Sequence, residues 1–313
     1  MNTANALWHI NDELSNLQTV DLVSDQQLVQ LEAKYSLIST GSERLVAMAK
    51  VDRALEQHMK VPYMEGSFDL PIKYGYSMIA QTGNGEFMHC MHPHQDSIQL
   101  TPQHLFKIPN TSIPAHRLTL ISNMETVINA IWDGMPSPNQ SIAICGFGNI
   151  GSLLATSLRV QMGIEVDVIE TNNWRKKRAE KLGWNTQASS EYDLIYHTTA
   201  TSAGLQFCID HLRQEGKVVE LSWYGDQDTT LRLGHAFHYK RLQLISSQVS
   251  SIPISKQKEY DYVSRKQLAL EWLKDKSYDE LISDFIPFKE SPKFFNSLRK
   301  GREGDGLIWV IEY

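Results

Sequence analysis

The sequence is poor in cysteine, has no long apolar run and concentrates charge of neither sign, and each shortage excludes a class of protein. Cys90, Cys145 and Cys208 are the only cysteines, widely spaced and never in a CxxC pair. A disulfide framework is thereby excluded, and free thiols in a reducing cytoplasm are expected. No apolar stretch approaches the roughly 20 residues of a bilayer-spanning helix, so no membrane association is expected. The stretch MNTANALWHINDEL has neither the charged nor the apolar region of a secretory signal. With a formal net charge of −6 and no block of five like charges, a nucleic-acid partner is not expected, because phosphates demand a basic face. Internal repeats and low-complexity tracts are also lacking. What remains is a chain of 313 residues, 42% hydrophobic, long enough for about two domains and for a core that needs no staples.

Residues 1–120 read as short strands and turns, such as LVQLEAKYSLIS (28–39), TGNGEF (82–87) and DSIQLTPQHLFKIP (96–109). Prolines between 102 and 114 interrupt any helix there. Residues 118–132 show helical spacing in their second half, and DGMPSPNQS (133–141) is a loop. From Ser141 the text becomes a strand–helix alternation. SIAICGF is a strand, and NIGSLLATSL puts Ile150, Leu153, Leu154 and Leu158 on one helical face. EVDVIE (165–170), DLIYHTT (193–199), KVVELSW (217–223) and LQLISSQ (242–248) are further apolar, β-branched runs. Such alternation predicts an α/β unit with a doubly wound parallel sheet. After Pro253 a helix over residues 255–275 and a last strand, LIWVIEY, are expected, so the sheet unit sits as an insert.

The stretch GFGNIG links the first strand to the first helix of this alternation. Gly146 permits the tight turn, Gly148 lets backbone approach a pyrophosphate, and Gly151 lets helix pack on strand. Asn149 and Ile150 open the helix, whose N–H groups and dipole favour phosphate. Glu170 ends the second strand, where a carboxylate binds the ribose diol of NAD and repels a 2′-phosphate. Arg175, with Lys176, Lys177 and Arg178, could instead receive that phosphate, which keeps NADP open, or simply form a solvated helix face. The alternative for the whole motif is a strand–turn–helix whose glycines serve packing alone.

The order of parts resembles the medium-chain dehydrogenase/reductase superfamily over nearly the whole chain. YSLISTGSE (35–43) is similar to its G-I-C-x-T-D region, and PIKYGYSM (71–78) stands where it has P-x-x-x-G-H-E. The segments ISTGSE, PIKYGY, HPHQD, METVINAIWDG, TATSAGLQ, VELSWYGD and LGHAFHYKRLQLISSQV resemble the bacteriochlorophyllide a dehydrogenase-like branch. Its members oxidise a hydroxyethyl side chain of a chlorin ring to an acetyl group. The resemblance implies a GroES-like β-rich catalytic domain over 1–122 with 253–313, and a Rossmann domain over 123–252. It also implies a cytoplasmic homodimer joined through the edge strand LQLISSQ and an NAD(P)-dependent oxidation of a small-molecule secondary alcohol. Zinc ligands of the superfamily fall on Thr40, on Tyr76 and Ser77, and near Ser122. These hydroxyls are poor zinc ligands, and the four-cysteine lobe is missing, so both metals are expected to be lost.

Without zinc, a side chain must polarise the reacting oxygen and exchange its proton. Tyr76 is the first candidate, or else a ring packed on the turn at Gly75. Thr40 and Ser42 are candidate relays, or backbone caps. Cys90, His92 and His94 would share a face of an extended strand, which invites a Cys/His/His metal reading or an acid–base role for His94 near the nicotinamide. Hydrogen bonding to nearby backbone is the plainer reading of these histidines. Thr126 follows Glu125 on a helix that the superfamily turns toward the nicotinamide, and Thr199, Thr201 and Ser202 follow a strand at its carboxyl end, where ligands bind. Two further readings stand beside the alcohol dehydrogenase: an NADPH-dependent quinone or enone reductase, and a non-catalytic dinucleotide-binding sensor.

Overall fold

A computed structural model describes residues 3–23, 25–189 and 191–313. Strands β1 (Thr3–His9), β2 (Ser15–Asp21), β3 (Val29–Ile38), β4 (Glu65–Gly66), β5 (Ile72–Lys73), β6 (Met78–Thr82), β7 (Phe87–Cys90), β8 (Ser97–Leu100) and β9 (Phe106–Lys107) belong to a first unit. Strands β10 (Ile142–Cys145), β11 (Asp167–Ile169), β12 (Tyr192–His197), β13 (Leu212–Glu220) and β14 (Gln243–Ser246) make the second. The chain then re-enters the first unit with β15 (Ile282–Pro287) and β16 (Ile308–Glu312).

The first unit is β-rich. One sheet has the order β2-β1-β5-β4, and the other runs β15-β16-β3-β6-β7-β9 with β8 also on β3. Alternating apolar residues of β3, β6 and β8 (Leu31, Ala33, Met78, Ala80, Ile98, Leu100) close one core. A second core joins Leu7 and Ile38 to Phe294, Phe295 and Trp309 of the returning segment. That return therefore completes the unit rather than trailing from it.

Burial in this unit sets its acid stability. His9 and His92 are 0% and 4% exposed. Burial holds His92 down at about 3, with Lys73 adding to it, against an ordinary 6.5. His9 is pushed well below its ordinary value by burial first and then by Arg299. Between these limits the unfolded chain binds protons that the folded chain refuses. The stabilisation from His92 is complete above pH 6.5 and is lost as pH falls toward 3, by about 1.4 kcal/mol per pH unit, and His9 adds a loss of the same sign. Urea midpoints should drop steeply from pH 6.5 to 4.5, and His92→Gln should flatten that slope; equal slopes for the two proteins would refute the assignment.

The second unit is a parallel sheet of order β11-β10-β12-β13-β14 with helices between its strands, so β14 is an edge. All four residues of β10 are buried, as a strand covered on both faces requires. The helix Asn149–Met162 buries Leu153, Leu154 and Leu158 and stops at Gly163, whose φ of 65° is a left-handed cap. Ile150, expected on that face, is half-buried.

The boundary differs from the one expected at 253, because residues 253–281 stay with the sheet unit. The helix there is shorter than expected, Tyr262–Trp272, opened by an Asp261–Ser264 capping box. Its Arg265 is 4% exposed and bonds Asn129 (2.7 Å), the Val249 carbonyl (2.8 Å) and Glu125 (3.2 Å). A buried charge without such partners would be costly, so the ion pair pins this segment to the helix Ile121–Gly134. Glu125 is thus an anchor, with Lys266 also at 3.8 Å.

Candidate functional site

The glycine bend is built by sterics. Gly146 has φ +102°, and a side chain there would stand 2.5 Å from Thr198 Oγ1. A Cβ on Gly151 would lie 2.0 Å from the Gly146 carbonyl oxygen. Gly148 opens the helix with no side-chain cap, and the first turn carries no acid. A methyl on Gly148 would meet Arg175 Nη1 at 3.5 Å. Glycines bare the backbone, Asn149 and Ile150 start the helix, and a cation lies alongside. This donor set fits a dinucleotide pyrophosphate.

Glu170 is at the end of β11, but its carboxylate turns back onto the bend. Oε2 accepts from the Phe147 N–H (2.8 Å), and Oε1 from those of Thr171 (2.7 Å) and Asn172 (2.8 Å). Of about four acceptor positions on a carboxylate, one remains for a ribose hydroxyl. Arg175 lies in the first turn of the helix Asn173–Lys181, where the Asn172 side chain caps its N–H. Thr126 is half-buried in the helix Ile121–Gly134.

Thr199 belongs to a polar chain whose members His197, Glu220 and Tyr224 escaped the sequence reading. Its Oγ1 stands 2.7 Å from His197 Nε2, and His197 Nδ1 stands 2.7 Å from Glu220 Oε2. Tyr224 donates its hydroxyl to the same carboxylate at 2.9 Å. Burial opposes ionisation of Glu220, but His197 and the Ser222 N–H outweigh it and hold the carboxyl below its ordinary range. Burial and the Glu220 charge push the Tyr224 phenol up. His197 ends β12 and Glu220 ends β13 in register, a pairing of residues 23 apart that no local spacing signals.

In the first unit, Tyr76 follows Gly75, whose φ is +139°. The phenol is pushed up to about 12 by burial, despite hydrogen bonds with Ser39 and Ser42, and the Glu43 charge adds to the rise. Ser122 donates to the Tyr76 carbonyl (3.0 Å), and its Oγ is 3.2 Å from His89 Nε2; Ser77 Oγ is 3.3 Å from the same nitrogen. Tyr76, Ser77 and Ser122 are thus brought together, and Thr40 begins the helix Thr40–Ala47 that carries Ser42. Tested as a zinc site, this set does not fit: its hydroxyl donors are weak zinc ligands. No group of three His, Cys, Asp or Glu suited to a metal occurs among the described residues.

His94 does not join this hydroxyl set. It is 0% exposed, held between Ser36 (2.7 Å) and Glu43 (2.8 Å), with Ser36 bonded on to the Tyr313 hydroxyl (2.8 Å). The other Glu43 oxygen accepts from the Ser39 N–H at 2.7 Å. Both His94 ring nitrogens are thus taken by protein groups, Nδ1 by Ser36 and Nε2 by Glu43. Cys90, His92 and His94 form no metal-holding group among the described residues. β7 ends at Cys90, His92 tilts against the Tyr63 ring (5.3 Å), and its Nδ1 meets the Pro93 carbonyl (2.8 Å).

No family model matches the sequence, and no curated protein matches it. Solved structures do resemble it. The 2R,3R-butanediol dehydrogenase of Bacillus subtilis covers 100% of both chains at 14% identity with a TM-score of 0.75. The short chain alcohol dehydrogenase of E. coli CFT073 complexed with NADH gives 0.73 at 13% identity, again over 100% of both chains. TarJ of S. aureus in complex with NADPH gives 0.71 at 12% identity over 99% of each chain. Along its whole length the chain has the fold of these solved dehydrogenases, with a strand-rich unit and a parallel-sheet unit.

Proposed function

We propose that this protein is a zinc-independent, NAD-dependent oxidoreductase that interconverts a secondary alcohol and a ketone, similar to the bacteriochlorophyllide hydroxyethyl dehydrogenase. The observation that carries the reading is the Tyr76 hydroxyl held by Ser39 and Ser42. A phenol pushed up to about 12 stays protonated at neutral pH and donates to the oxygen of a bound carbonyl. The proton it gives up in ketone reduction is replaced through the two serine hydroxyls, and alcohol oxidation runs the same transfer in reverse. A nicotinamide dinucleotide, when bound, supplies or accepts the hydride. Gly146, Gly148, Gly151 and the first turn at Asn149 would hold its pyrophosphate, with Glu170 on a ribose hydroxyl. We further infer a cytoplasmic homodimer, with β14 as the edge that pairs.

Arg175 beside Gly148 favours a second reading, an NADPH-dependent quinone or enone reductase. Fluorescence titration with NADH and NADPH separates the two, and an alcohol screen that includes a chlorin bearing a hydroxyethyl group tests the substrate class. Tighter NADH binding with NAD reduction by secondary alcohols is the expected result. Stoichiometric zinc in the active protein would overturn zinc independence, and binding of neither nucleotide would remove both readings.

A further inference from the structure

The carboxyl ends of β12 and β13 carry a chain of polar groups distinct from the hydroxyl set around Tyr76. Its direction follows from chemistry. Glu220 is held in its ionised form and can only accept, so His197 Nδ1 carries the proton and donates to it (2.7 Å). The other ring nitrogen, Nε2, meets the Thr199 hydroxyl at 2.7 Å. The Thr199 and Thr201 hydroxyls stand 2.9 Å apart, and Thr201 accepts from the Gly204 N–H (3.1 Å). Tyr224 and the Ser222 N–H donate to the two Glu220 oxygens from the opposite end. The chain runs from exposed Thr201 to fully buried His197.

Two features show that the backbone is shaped around it. A Cβ on Gly204 would lie 2.4 Å from Thr199 Oγ1 and 2.8 Å from His197 Nε2, so only glycine leaves room. Ala200 sits at φ +51°, a costly conformation for a side-chain-bearing residue, and its N–H is held by Ser222 Oγ at 3.0 Å. The loop 198–201 is also stitched to the glycine bend, since Thr198 Oγ1 donates to the carbonyls of Cys145 (3.0 Å) and Gly146 (3.3 Å).

Strand order gives this network its place. β11, with Glu170, flanks the bend on one side, and β12 and β13 follow on the other. A dinucleotide with its pyrophosphate on the bend and its adenosine ribose at Glu170 sends its other half across the ends of β12 and β13. We propose that His197 and Glu220 are positioning residues that hold loops 198–201 and 221–224 in the shape that receives the nicotinamide half. This rests on the dinucleotide reading.

The test uses the full-length protein and two probes, NADH followed by fluorescence and ADP-ribose, which lacks the nicotinamide, followed by calorimetry. Glu220→Gln keeps the shape but loses the charge, and His197→Asn removes the ring nitrogen that meets Thr199. Each should weaken NADH binding about tenfold while changing ADP-ribose binding less than about twofold. Tyr224→Phe and Thr199→Val perturb the partly exposed ends and carry the test if the buried variants do not fold; the same selective loss is expected, in smaller degree. Unchanged NADH binding in folded variants, or equal weakening of both probes, would overturn the proposal. Wild-type protein that binds ADP-ribose but not NADH would also overturn it while leaving the bend assigned. If the wild type binds neither, the dinucleotide reading falls and takes the proposal with it.

Discussion

Replacing Gly151 by alanine should abolish NADH binding and cost the fold about 1–3 kcal/mol, the range for a methyl forced into close-packed space. The added Cβ would stand 2.0 Å from the Gly146 carbonyl oxygen and 3.0 Å from Thr198 Oγ1. Neither neighbour can retreat. The Gly146 N–H is tied to the Ile169 carbonyl at 2.8 Å, and Thr198 Oγ1 is bonded to the strand below it. The helix Asn149–Met162 must therefore lift from β10, and its first-turn N–H groups move away from the phosphates proposed to sit there. Gly234→Ala, whose Cβ meets nothing within 4 Å, is the control and should leave binding and melting temperature unchanged. Gly151→Ala that binds NADH like the wild type would show that the bend packs helix against strand and holds no nucleotide.

Legibility in the sequence followed the range of the interactions. The parallel unit could be read because a strand buried on both faces is apolar at every position, and the run IAIC shows this without its neighbours. Gly151 could be read because its steric demand is met five residues away at the Gly146 carbonyl, and Gly146 because a φ of +102° is a demand of the bend itself. The boundary at Ile282 could not, since it depends on Arg265 meeting Glu125 across 140 residues. His94 was misplaced for the same reason: an HPH run suggests chemistry, yet its ring is claimed by Ser36 and Glu43, far off in sequence. Glu43 had one local signal, its place four residues after Ser39 at a helix start, where a carboxylate can close on the N-cap N–H. His197 and Glu220 had none, because a register between parallel strands leaves no mark in either strand alone.

Tyr76→Phe should lower kcat for ketone reduction by about 10²–10⁴, the share a positioned acid contributes, with NADH affinity unchanged. The substitution keeps the ring and its edge contact with Tyr74 (6.0 Å between centroids), so packing on Gly75 is conserved and only the donor is lost. The pH profile separates a catalytic phenol from a structural one. Burial, reinforced by Glu43, favours the protonated form up to about 12 against an ordinary 10. Ketone reduction by the wild type should therefore not lose its donor through pH 10. Glu43→Gln removes the charge that raises the phenol, so its alkaline limb should move to lower pH. It also keeps the shape that caps Ser39. A side chain that merely fills space would leave both profiles superimposable. Tyr76→Phe activity within about twofold of the wild type would return the acid–base role to another group. Thr40 and Ser42 on the neighbouring helix would then be the next hydroxyls to remove.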